Sequence, residues 1–428
     1  MKTVCVIGAG VVGCATAYAL RRQGFQVILL DAQAGPGEGA SRANGAQLSY
    51  SYVEPLASPA TLRALPALLS SQDSPLRFSP RMDWRQWHWG VRFLLACTGG
   101  QVRRGTRELL ALAQLSRTTL DDWCARENLA ISLKRNGKLV LCPDDATLER
   151  QVRQLEFQAA LGCRQSVLTP AQCLAQEPAL GTVLTGVAGG IWTPDECLAD
   201  PYELCQALVR CLQRDGARLQ FNTRVDGFVV RRGKAVAVRA AGHELAADAF
   251  VLATGASAAR LGASLGMVLP VYPVKGYSLT LPLRDASRAP RASVTHLGLK
   301  TVFAPLRDQL RVAAMAEVVG HDLRIPQDRV DRMLEAVERL FPGACALEQP
   351  AAWAGLRPAT PDSLPIIGPS RVVNVFLNIG HGALGFTLAA GSAMRLAWQM
   401  AAGGAAAMQR PVASALATAL SPQERKTP

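Results

Sequence analysis

Near the amino terminus, Gly8-Ala9-Gly10-Val11-Val12-Gly13 follows a short apolar run, Thr3 to Ile7, and precedes a helical stretch to Arg22 that Gly24 ends. That order suits phosphate binding. Gly8 permits a tight turn, Gly10 lets backbone approach a pyrophosphate, Gly13 lets helix pack on strand, and the helix start supplies unpaired N–H groups with a positive dipole. A second apolar strand, Val27 to Leu30, ends in Asp31, placed to accept from a ribose hydroxyl. The pattern points to an adenine dinucleotide and does not choose between NAD and FAD. The plainer alternative is a tight turn in an ordinary α/β fold with a solvated Asp31.

Two further stretches have the chemistry of a binding site. The small-residue loop Ala34 to Ser51 contains Ser41-Arg42-Ala43-Asn44-Gly45-Ala46-Gln47-Leu48, backbone able to lie against a flat ring system. Late in the chain, the glycine-rich turn Gly380-His381-Gly382-Ala383-Leu384-Gly385 links a strand, Val372 to Leu377, to a helix from Thr387 to Gln399. It offers a second helix N-terminus.

The elements that must carry these residues come from a chain of 428 residues with 49% hydrophobic and 18% charged content, which excludes general disorder. Its length predicts two domains. The net charge of +13 favours anionic partners without choosing among them, and 11 cysteines without a C-x-x-C pair suggest neither a disulfide framework nor a zinc site, hence a reducing compartment. No apolar run is long enough to span a bilayer. Lys2 and the apolar stretch to Leu20 imitate a signal peptide, but the glycines there argue otherwise.

Thr61 to Glu127 reads as helical, Lys134 to Cys142 as a strand, and Asp144 to about Leu161 as an amphipathic helix. Asp200-Pro201 opens a helix to about Arg214. Arg218 to Phe221, Gly227 to Arg231 and Ala249 to Ala253, running into Thr254-Gly255, read as returning strands of the parallel sheet. Between Val268 and Glu317 the strands become longer, alternating and Pro-punctuated, as in an antiparallel sheet. The expected fold is α/β: a Rossmann-like dinucleotide domain (1–80, 146–262 and 345–412) interleaved with an α+β substrate domain on a mainly antiparallel sheet (81–145 and 263–344). The Ala/Gly run from Ala401 and residues 413–428 read as a frayed tail.

Taken together, the glycine start, Ser41 to Ser49, Tyr272 to Thr280, Ala316 to Gly320, Gly355 to Asp362 and Asn378 to Gly385 resemble, along essentially the whole chain, the D-amino acid oxidase-like family of FAD-dependent oxidoreductases, and within it the D-amino acid dehydrogenase group. The resemblance implies non-covalent FAD, with the flavin between the domains and its pyrimidine edge near the last helix N-terminus. The implied cofactor residues are Gly8, Gly10, Val11, Val12, Gly13, Asp31, Ala32, Ser41, Ala43, Asn44, Gly45, Gln47, Leu48, Val225, Thr254, Gly255, Gly380, His381, Gly382, Ala383, Leu384, Gly385 and Thr387. His381 is open between a side-chain role and a turn residue whose backbone alone matters. Ala313-Ala314 and Leu299 stand where relatives often carry Gly-Gly and Tyr, and border the expected side-chain pocket.

Amine oxidation by a flavin needs a fixed handle on the substrate carboxylate more than acid–base machinery, and a guanidinium is a bidentate one. Arg357, held extended by Pro358, matches the arginine that relatives use for this; a surface Arg paired with Asp362 is the alternative. Tyr277 is expected to reach the same carboxylate, with a core tyrosine whose hydroxyl is satisfied as the equal alternative; Tyr52 is expected to act as a lid residue, and Lys275 to be a solvated strand-end lysine, with contact to a flavin-bound water as the alternative. From Arg77 to Arg107, seven arginines surround Trp84-Arg85-Gln86-Trp87-His88-Trp89, a composition suited to acidic lipid or, equally, to a core-packing helix with a basic outer face.

The expected activity is oxidative deamination of D-amino acids to 2-oxo acid and ammonia, with electrons passed to a quinone or an electron-transfer protein. The expected location is cytoplasmic, with peripheral contact on the inner membrane, an oligomer and an accessory subunit left open. D-hydroxyproline, D-proline or N-methyl amino acid oxidation is the alternative within the class. Outside it stand a non-enzymatic dinucleotide sensor and an RNA-modification flavoprotein, the latter without any nucleic-acid-binding module.

Overall fold

The computed structural model describes residues 1–70, 76–184 and 186–402; the tail read at 413–428, and the Ala/Gly run beyond 402, lie outside them. Strand Thr3–Ile7 is central to a six-stranded sheet in the order Ile366–Pro369, Val375–Ile379, Ala249–Leu252, Thr3–Ile7, Gln26–Leu30, Arg218–Gln220. All neighbours are parallel except the first pair. These strands read as continuous apolar runs because both faces are covered. Val4, Val6, Leu29 and Val251 pack under helices Val11–Arg22, Gly99–Glu127, Pro201–Arg214 and Gly385–Ala401. Cys5, Ile7, Ile28, Leu30, Phe250 and Leu252 face the other way, against Phe228 and Val238.

Those last two belong to a separate antiparallel sheet of Val225–Arg231, Lys234–Ala240 and His243–Ala246. The run at 227–231 therefore does not join the parallel sheet as expected. The chain turns back at Arg232-Gly233, both with positive φ, and the strand pairs with its own hairpin. The helix expected after Asp200 is present: Asp200 accepts from the Tyr202 N–H at 2.8 Å, with Pro201 in the first turn.

A second, nine-stranded sheet runs in the order Ala351–Ala359, Tyr272–Pro282, Gln309–Val318, Thr301–Leu306, Ser293–His296, Lys138–Cys142, Gly189–Thr193, Ser166–Leu168, with Leu76–Phe78 beside Gln309–Val318. It is antiparallel except where Ser293–His296 meets Lys138–Cys142 and at Leu76–Phe78. Two assignments change here. Strands 76–78, 166–168, 189–193 and 351–359, allotted by sequence to the dinucleotide domain, belong to this sheet, and the helical reading of 61–127 is interrupted by strand 76–78. Helix Gln327–Leu340 covers one face, with Met333 and Val337 packed among Tyr277, Leu279 and Phe303.

Candidate functional site

The carboxyl ends of the parallel strands open into a cleft of about 1090 Å³ whose opposite wall is the antiparallel sheet. That is at the upper end for a small-molecule pocket and suits a large ligand. Gly8, Gly10, Val11, Val12, Asp31 and Ala32 line one end, Ser41, Ala43, Asn44, Gly45 and Gln47 one side, and Gly380, His381, Gly382, Ala383 and Gly385 the other, with Val225, Thr254 and Gly255 nearby.

The residues fit FAD. Gly8 has φ +104° and a Cβ there would lie 2.5 Å from the Ala253 carbonyl oxygen. Helix Val11–Arg22 has Gly10 as its cap and no acid in its first turn; the Val11 N–H donates to Ser41 Oγ at 3.0 Å, and the positive end faces the cleft with no carboxylate of its own first turn to balance it. The helix Gly385–Ala401 likewise has no acid in its first turn. Asp31 accepts from the N–H groups of Ala9 (2.5 Å) and Gln33 (2.8 Å), which fixes its carboxylate at the strand end. Thr254 Oγ1 and Asn378 Oδ1, both on cleft-lining residues, are buried without a partner. Such atoms are what a bound polar ligand satisfies.

Four of the expected residues support the cleft without lining it. A Cβ on Gly13 would lie 1.7 Å from the Gly8 carbonyl oxygen, so its role is close packing. Thr387 Oγ1 accepts from the Ser49 N–H at 3.0 Å, tying the loop that ends at Ser49 to the last helix. Leu48 is fully buried in the core, and Leu384 packs against the same cluster. His381 is buried with Nε2 3.0 Å from Ser392 Oγ, and burial takes its pKa down to about 3. A neutral His381 leaves the turn's N–H groups to provide the positive field.

On the opposite wall, Arg357 is the centre. In the ladder between Ala351–Ala359 and Tyr272–Pro282, Arg357 pairs with Val274, Gly355 with Gly276, and Trp353 with Ser278. Alternation places these six side-chain positions on one face. The paired glycines leave that face bare, so the guanidinium lies down over Gly276 and the Trp353 ring over Gly355, where an added Cβ would fall 2.4 Å and 1.9 Å from them. Arg357 Nη1 donates to the Met315 carbonyl oxygen at 2.8 Å, and burial lowers its pKa. Among the described residues it forms no ion pair, with Asp362 or any other carboxylate. It is a cation facing a cleft with its remaining donors free.

Tyr277 is corrected by the same alternation. It pairs with Ala354, on the other face of the sheet, and its phenol donates to Glu317 at 2.7 Å. Glu317 also meets Arg329 at 3.0 Å and Lys275 at 3.6 Å, all of them buried, so Lys275 is not a solvated strand-end lysine either. Tyr277 anchors this network and does not extend its hydroxyl towards Arg357. Tyr52, expected as a lid, does not line the cleft; its hydroxyl donates to Gln151 at 2.8 Å and its ring covers Lys138.

Sequence reasoning missed Gly276, Trp353, Lys300 and His321, all of which line the cleft. Lys300, with φ +47°, follows a turn and precedes strand Thr301–Leu306, one residue beyond the Thr301–Ala314 pair and so level with Met315. The alternation of Trp353, Gly355 and Arg357 was the available signal.

The chain matches the family DAO, described as FAD dependent oxidoreductase, over residues 3–399. D-amino acid dehydrogenase 2 of Ralstonia nicotianae is 43% identical over 404 residues, 92% of this chain and 95% of that protein. D-amino acid dehydrogenase 2 of Pseudomonas aeruginosa is 44% identical over 401 residues, 93% of this chain and 95% of that protein. Among solved structures, glycine oxidase from Geobacillus kaustophilus superposes with a TM-score of 0.71 at 23% identity, covering 94% of this chain and 95% of that one. At that identity the likeness shows the fold.

Proposed function

This chain belongs to the DAO family of FAD-dependent oxidoreductases, and from that premise we propose how it carries out its reaction, the oxidative deamination of D-amino acids. Bound FAD supplies the chemistry by accepting hydride from the substrate Cα–H, and the imine so formed hydrolyses to 2-oxo acid and ammonia. What the chain supplies is position. The observation that carries the reading is the unpaired Arg357 guanidinium lying on Gly276: the substrate carboxylate becomes its missing counter-ion through a bidentate pair. With one end pinned and Trp353 limiting tilt from the side, the Cα–H bond is left a single productive direction, which is where most of the rate comes from.

The dinucleotide is held by the Gly8 to Gly13 turn, Asp31, the Ser41 to Gln47 loop and the Gly380 to Gly385 turn. The N–H groups of that last turn, on a neutral His381, favour negative charge beside them and so stabilise the electron-rich form of the ring system.

We further propose that the electrons leave to a quinone at an acidic membrane surface. No helix among the described residues is long and apolar enough to cross a membrane. Helix Trp84–Ala96, however, buries Trp89 and Phe93 against Tyr272 and Val274 while exposing Trp84, Trp87, Val91, Leu94 and Leu95, with Arg81 exposed just before it and Arg92 exposed on the helix itself. An outward apolar row rimmed by arginines suits an interfacial helix. The deamination reading is tested by adding D- and L-alanine anaerobically to the purified yellow protein. Bleaching by the D isomer alone is expected; bleaching by neither, or by L alone, refutes it.

A further inference from the structure

The strand pair Tyr272–Pro282 and Gln309–Val318 slips by one residue at Gly276, the glycine under the Arg357 guanidinium. Tyr277 faces Ala314 and Lys275 faces Glu317, so Gly276 alone stands opposite two residues, Met315 and Ala316, which both line the cleft. This is a β-bulge, an irregularity that re-aims one group while the rest of the sheet stays regular. The ladder on the other side of Gly276, to Gly355, runs without a shift. Met315 takes a left-handed conformation, φ +66°, which is costly for a residue with a side chain. Its carbonyl oxygen is the group that accepts from Arg357 Nη1 at 2.8 Å. In a regular antiparallel ladder a carbonyl lies between strands and bonds to its neighbour; here the bulge hands one to a guanidinium on the face of the sheet.

On the face turned away from the cleft, a side-chain bond spans the bulge. Side chains alternate along a strand, so Glu317, three residues after Ala314, would stand on the cleft face in a regular ladder. The extra residue reverses that parity. Glu317 therefore shares the covered face with Tyr277, whose phenol donates to it at 2.7 Å, joining the pair on one side of the bulge to the pair on the other. Arg329 at 3.0 Å and Lys275 at 3.6 Å hold the same carboxylate, and all four side chains are buried. The bond exists only in this register. A ladder that lost the bulge would return the Met315 carbonyl to strand pairing and turn the Glu317 carboxylate towards the cleft, where it would compete for Arg357. A phenylalanine at position 277 would fill the apolar space under helix Gln327–Leu340 equally well, so the hydroxyl serves the register.

We propose that Tyr277 and Glu317 are positioning residues for the substrate: the bond between them locks the bulge whose Met315 carbonyl holds the Arg357 guanidinium, so that a phenol on the covered face of the sheet sets the anchor on the cleft face. The proposal rests on the reading that Arg357 binds the substrate carboxylate.

The test is a double-mutant cycle on the holoenzyme, read as the second-order rate of anaerobic flavin bleaching by D-alanine, with FAD content alongside. Tyr277→Phe, which removes only the hydroxyl, is expected to lower that rate about tenfold, in keeping with one lost hydrogen bond, with FAD retained. In the Arg357→Ala background the same change should cost nothing further, because groups that act through one another are not additive. The wild-type rate in Tyr277→Phe, or a tenfold loss repeated in the Arg357→Ala background, would overturn the proposal. Should Tyr277→Phe fail to fold, two changes at Met315 decide. Asn tolerates the left-handed conformation and Val does not, so Met315→Val should bleach about tenfold more slowly than Met315→Asn; equal rates would overturn the proposal, since the backbone of the bulge would then not matter. If Arg357→Ala itself bleached at the wild-type rate, the anchor reading would fall, and the role of Tyr277 with it.

Discussion

Arg357 lies across Gly276 so closely that a Cβ on the glycine would fall 2.4 Å from Nη2 and 2.5 Å from Cζ. A two-strand ladder thus fixes the guanidinium that, among the described residues, has no carboxylate partner on the cleft's antiparallel wall, by removing the side chain beneath it. The facing glycine, Gly355, does the same for Trp353. Because the floor is rigid sheet, the cation's height and tilt are set before any ligand arrives, the preorganisation that carboxylate recognition rewards.

Gly276→Ala should therefore behave as a lesion of Arg357. The methyl group lifts the guanidinium and breaks its bond to the Met315 carbonyl. Steady-state assays with an artificial acceptor should show kcat/KM down by about tenfold to a hundredfold, a loss of about 1.4 to 2.7 kcal/mol, with FAD content unchanged. Unaltered kinetics would mean that the guanidinium's resting position is irrelevant.

His381 makes stability depend on acidity. Burial carries its pKa from 6.5 down to about 3, so between those values the unfolded chain binds a proton that the folded chain does not. Its contribution is whole above pH 6.5 and is lost as pH falls through that window. Melting temperatures should drop from pH 7 to pH 4, and His381→Gln should flatten the slope; an equal slope in the variant would assign the acid sensitivity elsewhere.

Activity should rise with pH below the substrate's amine pKa, because only the neutral amine can lose hydride from the neighbouring carbon. A flat profile of kcat/KM from pH 6 to 10 would count against amine oxidation.

Membrane contact is checked by flotation with vesicles containing acidic lipid. Wild type should float at low salt and less at high salt, and Trp84→Ser combined with Trp87→Ser and Leu95→Ser should lower the vesicle partition coefficient about a hundredfold, since each of the three exposed apolar side chains contributes a kcal/mol or so of burial. Equal flotation of both proteins would leave the helix Trp84–Ala96 without this role.

Much of this was legible in the sequence, for reasons tied to range. The Gly8 to Gly13 turn, Asp31, the Asp200 cap and the Gly380 turn are local signals, since backbone geometry and helix chemistry act over a few residues. Arg357 stood out because Pro358 and its neighbours form a motif. What escaped depends on which strand lies beside which. Gly276 and Gly355 matter only once residues about 80 apart are paired, and the Met315 bulge only once its strand lies beside Tyr272–Pro282. Tyr277 was misplaced by parity: it follows Gly276 by one residue, and in a strand one residue is the other face. Gly227 to Arg231 has the composition of a parallel-sheet strand, but its partners are its own hairpin.

The most direct measurement is anaerobic stopped-flow reduction of the bound flavin by a D-amino acid in wild type and Arg357→Ala. With Arg357 as the carboxylate anchor, the variant should keep its FAD and its oxidised spectrum while the second-order rate of bleaching falls by about 10³-fold, roughly 4 kcal/mol. Bleaching at the wild-type rate in a variant that retains FAD would contradict it.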